Sequence, residues 1–105
     1  MKYCCVLSTV PNIKKARQLA GLLVSKQLAA CVQIVPGLES YYRWKGKTEA
    51  SKEILLIIKT RASLYEPLEK AILKNHPYEV PEIVCLPITR GSKPYLDWIS
   101  AEVVR

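Results

Sequence analysis

Metal or acid–base chemistry in this chain would start at His76, its single histidine. Neutral imidazole is a good ligand for Cu(II) or Zn(II), and its proton exchanges near physiological pH. Pro77 follows at the expected end of a helix, which predicts a ring that reaches the surface. One imidazole per chain is too few for a closed site. A carboxylate such as Glu79 or Glu82 would have to complete it. The competing expectation is that His76 fixes a turn or a subunit contact.

The other soft ligands are Cys4, Cys5, Cys31 and Cys85. Each lies inside an apolar run, and none shows the C-x-x-C spacing of a zinc or redox motif. Cys4 and Cys5 are neighbours on a strand and point to opposite faces, so they cannot chelate one ion together. All four are expected to be buried, reduced thiols of a cytoplasmic protein.

Tyr42, Trp44, Lys59, Tyr78, Glu82 and Trp98 combine aromatic bodies, polar tips and charges of both signs. Such a set suits a cleft between subunits, with Lys59 as the cation for a small anion. Packing at an interface is the alternative, since Tyr and Trp are enriched there. Enzyme motifs are missing: there is no Gly-rich phosphate loop and no G-x-S-x-G elbow. A non-enzymatic protein without an obligatory cofactor is expected.

These residues must be carried by a small domain. The 105 residues are 50% hydrophobic, which suits one domain over 1–105 and excludes a disordered chain. No apolar stretch approaches the roughly 20 residues of a membrane-spanning helix. A cleavable leader is not expected either, because Tyr3–Val10 lacks a small-residue cleavage site. The net charge of +7 permits nucleic-acid binding. An RNA-binding sheet, however, needs interleaved aromatics, and the chain has no Phe and an aliphatic inner strand, EILLIIKT. No specific nucleic-acid partner is expected.

Read in order, Tyr3–Thr9 is a strand, and Asn12 caps a helix with apolar positions Ile13, Ala16, Leu19, Ala20 and Leu23. The β-rich segment 28–44 is bent at Pro36-Gly37, turns at Lys45-Gly46-Lys47 and returns through Ile54–Ile58. Each arm has roughly 14 residues against a usual strand of about 5 to 6, so the hairpin must overhang its domain. Ser63 and Glu66 form a capping box for a second helix, which ends near Asn75. Glu82–Ile88 is the last strand, and a terminal helix carries Tyr95, Leu96, Trp98 and Ile99.

The order βαββαβ plus a helix predicts a ferredoxin-like antiparallel α+β sheet of spatial order 4-1-3-2, with helices on one face. The strands at 3–7, 54–58 and 83–88 are apolar at nearly every position, so both faces need cover. One chain has helices for one face, and a homo-oligomer is expected.

The blocks LAACVQIVPGLESYYRWKGK (28–47), EILLIIKT (53–60), HPYEVPEI (76–83) and YLDWI (95–99) are similar to those of the CutA family of divalent-cation-tolerance proteins. The resemblance spans nearly the whole chain. It implies a homotrimer whose long hairpins pair with neighbouring subunits, and a link to tolerance of divalent metals, copper above all. Some bacterial members carry Cys at the position of Ser8 and a second His at Asn75, both associated with copper. This sequence departs at both places, which leaves His76 alone of that set. The other functional classes in play are a trimer, similar to PII signalling proteins, that senses a small anionic metabolite, and a protein-anchoring trimer.

Overall fold

The computed structural model describes residues 1–104; Arg105, the last residue of the expected 1–105 domain, lies outside the described residues. Strand β1 (Tyr3–Val10) leads into helix α1 (Ile13–Ser25), followed by β2 (Cys31–Trp44) and β3 (Lys47–Arg61). A short 3-10 turn (Ala62–Leu64), helix α2 (Tyr65–Asn75), strand β4 (Ile83–Ile88) and helix α3 (Lys93–Glu102) complete the chain. The sheet order is β2-β3-β1-β4, all antiparallel, which is the expected 4-1-3-2 order read from the opposite edge.

Alternation along the strands divides the apolar residues between two faces. Cys4, Val6, Leu56 and Ile58 point towards the helices and are fully buried with Ala16, Leu19 and Leu23 of α1 and Leu68 and Ile72 of α2. Their neighbours Cys5, Leu7, Leu55 and Ile57 therefore lie on the other face, beside Val84 and Leu86 of β4. Helix α3 covers one end of this second face, packing Ile99 and Val103 on Tyr3, Ala30 and Leu64. Elsewhere it stays open, and Val84 and Leu86 are 44% and 47% exposed.

The hairpin arms are 14 and 15 residues long and stretch the molecule to 44 × 25 × 23 Å. Lys45 and Gly46 both have positive φ, the two-residue turn whose twist matches the flanking strands. Near the hairpin base, Val35 pairs with Leu55 and Leu38 with Glu53, so β2 carries one extra residue there. Gly37, at φ +88°, supplies the backbone for this bulge. The extra residue flips the facing of every later side chain on β2. Ser40, Tyr42 and Trp44 consequently share the open face with Glu53.

Asn12 caps α1 as expected, its Oδ1 accepting the Lys15 N–H at 2.8 Å. The Lys15 ammonium reaches across to donate to the Asn75 carbonyl at 2.9 Å, at the negative end of α2. The capping box at Ser63 does not form. Leu64 holds the N-cap position of α2 and no side chain caps it. Pro67 gives the reason: with Ser63 as cap, its missing N–H would fall where the first intrahelical bond is made. The observed start puts Pro67 one position earlier, where no helical partner is needed.

The four cysteines are free, as expected, but only Cys4 is fully buried within the chain. Cys5 and Cys31 are half-buried because they sit on the open face, on either side of Lys59, and Cys85 belongs to the edge strand β4. Burial, then the neighbouring Cys85 thiol on β4, pushes the Cys4 pKa up to about 12.

Candidate functional site

On the open face, where β1 ends and the hairpin leaves the sheet, lies a cleft of about 810 Å³. Its floor comes from Thr9 and Glu53. One wall is the hairpin segment Ser40–Tyr42 with Trp44, and the other is the loop 77–82. The bulge on β2 is what turns Tyr42 and Trp44 into it. Glu53, Glu79 and Glu82 give the lining three carboxylates, with no lysine or arginine.

Glu53 is the central group. It is only 8% exposed. Its Oε2 accepts the Tyr78 hydroxyl at 2.8 Å, whereas no protein hydrogen bond to Oε1 is found among the described residues. Burial, then this bond, pushes the Tyr78 phenol well above its ordinary pKa, so the hydroxyl remains a donor. Tyr42 is tied at its tip to Ser51, at 3.4 Å.

His76 stands behind the loop wall. Its Nε2 lies 2.7 Å from the Thr9 carbonyl, and its Nδ1 accepts the Tyr78 N–H at 3.1 Å. A carbonyl on one side and an N–H on the other assign the Nε2–H tautomer. The ring also packs on Tyr78, with centroids 4.8 Å apart. Strand β4 begins opposite Ser8, so the Thr9 carbonyl lies beyond its reach and His76 takes the place of a strand partner. The histidine thus fixes the loop that carries Tyr78.

A resident copper ion does not fit these residues. Both ring nitrogens of His76 are engaged. The Ser8 hydroxyl is buried without a partner and faces the helices, and the Asn75 amide donates to the Ala71 carbonyl at 2.8 Å. Among the described residues no group of three or more His, Cys, Asp or Glu side chains converges as metal ligands, so His76, Glu79 and Glu82 do not form one chelating set. Glu79 and Glu82 face the cleft instead.

Of the aromatic and charged residues expected to share a cleft, Tyr42, Trp44, Tyr78 and Glu82 do so. Lys59 does not: its ammonium donates to Gln33 Oε1 at 2.6 Å, farther along the open face. Trp98 lies on α3, against Tyr95 at 5.7 Å between centroids. Glu53 and Thr9 were not singled out by sequence. The available signal for Glu53 was its position, the one acidic residue abutting the apolar run 54–58 and nearly opposite Pro36-Gly37.

A model of the CutA1 divalent ion tolerance protein family matches residues 4–102. The chain belongs to that family. It is similar to the chloroplastic protein CutA of Arabidopsis thaliana, 54% identical over 90% of this chain and 52% of the relative. It is also similar to the divalent-cation tolerance protein CutA of Thermus thermophilus, 50% identical over 90% of this chain and 91% of the relative. The crystal structure of CutA1 from Oryza sativa superposes with a TM-score of 0.96 at 46% identity, covering 99% of this chain and 95% of that one. The chain spans about half the length of the curated plant relatives it matches. No described helix is long and apolar enough to cross a membrane.

Proposed function

We propose that the chain is a non-enzymatic homotrimer that binds a positively charged ligand in the Glu53 cleft, and that its part in divalent-ion tolerance runs through that binding. The carrying observation is the lining itself: a buried carboxylate with a free oxygen, two further carboxylates and no basic side chain. A divalent metal such as Cu(II) enters this reading as a solvated or shared ion at the acidic surface, not as a cofactor. Within one chain the cleft has no basic side chain, and Lys59 donates to Gln33 farther along the open face.

The trimer is supported by the apolar strip Leu7, Leu55, Ile57, Val84 and Leu86, too apolar to face water, and by the overhanging hairpin. The non-enzymatic reading rests on the single imidazole, both of whose nitrogens hold structure. A cytoplasmic setting is supported by four unpaired cysteines.

A thermal-shift panel at low ionic strength tests the proposal. Mg(II), Cu(II) and alkylamines are expected to raise Tm in the wild type and to lose that effect in Glu53→Gln, whereas citrate and nucleotides leave Tm unchanged. Stabilisation by the anions would overturn it. Light scattering is expected to give three times the chain mass of 11.9 kDa, and a single-chain mass at micromolar concentration would remove the trimer.

A further inference from the structure

We infer that Cys4 and Cys85 are a redox pair, which a small-molecule disulfide oxidises to a covalent bond between β1 and β4 that locks the edge strand onto the sheet.

Topology singles out this pair among the four free cysteines. Cys4 lies opposite Pro87 and Cys85 opposite Val6, so the two thiols occupy diagonal positions on adjacent antiparallel strands. Both face the helices: Cys4 belongs to the buried core, and Cys85 packs against it. The other pairings fail. Cys5 points to the open face, away from Cys4 and from Cys85. Cys31 shares that face with Cys5, but both sit opposite Lys59, so the width of β3 separates them.

The sheet can give at this place. Diagonal Cα atoms on neighbouring strands are about 7–8 Å apart, against roughly 6.8 Å at most in an ordinary disulfide. Closing the bond therefore takes a shift of roughly 1 Å. Strand β4 is an edge strand of six residues with β1 as its single partner. Pro87, opposite Cys4, has no N–H to give the ladder, so little holds β4 in register there.

The two thiols divide the chemistry. Cys85 is half-buried and can meet a dissolved oxidant, whereas Cys4 is 0% exposed and cannot. The Cys85 thiolate attacks the S–S bond of the small disulfide and forms a mixed disulfide. The small thiolate released takes up the proton that Cys85 shed. The Cys4 sulfur then attacks the Cys85 sulfur, and its proton leaves with the second small thiol. Two protein thiols are oxidised, and the oxidant is reduced to two thiols. Burial, then Cys85 beside it, keeps Cys4 protonated at neutral pH, which suits the second role and makes that step the slow one. The finished bond closes a loop over most of the chain, where a cross-link restricts the unfolded state most.

The test incubates the full chain with glutathione disulfide at pH 8, labels it with N-ethylmaleimide in urea, and reads intact mass and unreduced peptide maps. A cross-link between the Cys4 and Cys85 peptides is expected, with two hydrogens lost per linked chain and full reversal by dithiothreitol. The linked protein is expected to unfold at a urea midpoint about 1 M or more above the reduced one. Cys85→Ser, at a half-buried edge position, is expected to fold and to lose both effects. Four maleimide-reactive thiols after incubation, glutathione retained on Cys85 without a cross-link, or a link through Cys5 or Cys31 would each overturn the pair. A Cys4–Cys85 link with an unchanged midpoint would overturn its locking role.

Discussion

Replacing His76 by alanine removes two hydrogen bonds from one place, and their worth can be worked from the structure. The bond to the Thr9 carbonyl, at 2.7 Å, is the larger loss. Thr9 is 4% exposed and lies beyond the start of β4, so neither water nor a strand takes over. An acceptor left unsatisfied in such a position costs about 1–3 kcal/mol. The Tyr78 N–H bond, at 3.1 Å on a half-buried loop, adds about 0.5–1 kcal/mol. The sum predicts a loss of roughly 1.5–4 kcal/mol. Urea unfolding at fixed protein concentration reads it as a lower midpoint with an unchanged slope. His76→Gln, which retains a donor for Thr9, should recover about half of the loss. A His76→Ala protein within about 0.5 kcal/mol of wild type would refute the structural role given to the ring. Equal heats of Cu(II) binding in the two proteins would agree with that role, because the ring then offers copper nothing.

Further consequences follow from local geometry. Gln27 closes α1 in the left-handed region at φ +58°, with Leu28 N–H on the Leu23 carbonyl and Gln27 N–H on that of Val24. Gln27→Gly should raise stability by about 0.5–1 kcal/mol in urea unfolding, and a loss would contradict the strain argument. Cys4 and Tyr65 both have pKa values raised to about 12, Cys4 mainly by burial and Tyr65 mainly by its bond to Glu69. The native state keeps protons that the unfolded chain releases, so stability is unaffected below about pH 9 and falls as pH rises towards 12. Cys4→Ala should flatten that fall between pH 9 and 10.5, and an unchanged slope would remove Cys4 from it. Leu86 is half-exposed in the single chain, so Leu86→Asp should leave the circular dichroism spectrum intact while lowering the light-scattering mass. An unchanged trimer mass would take β4 out of the interface.

The sheet was legible because its pattern is regular: apolar residues on successive strand positions exposed the need for cover on two faces. Residue types at Asn12 and Gly46 marked a cap and a turn that form as expected. What escaped depends on distant contacts. Ser63 has a capping residue's chemistry, yet Pro67 four positions on moves the helix start. For His76 a metal ligand and a turn-fixing ring both stayed open, because nothing nearby in sequence reveals that the Thr9 carbonyl, 67 residues away, occupies its ring. Lys59 and Trp98 were expected in a cleft between subunits, which one chain does not contain; within the chain they lie away from the Glu53 cleft. Glu53 looked like an ordinary strand end until the bulge at Gly37 turned two aromatic residues towards it.

Trp44 is the most direct reporter of the account, because it lines the cleft beside Glu53. In a Trp98→Phe protein its emission alone would be followed while cations and anions are titrated at low ionic strength. A saturable change with cations, lost in the Glu53→Gln background and not produced by citrate or nucleotides, is the predicted result. A saturable response to the anions, or one to cations that survives Glu53→Gln, would contradict it.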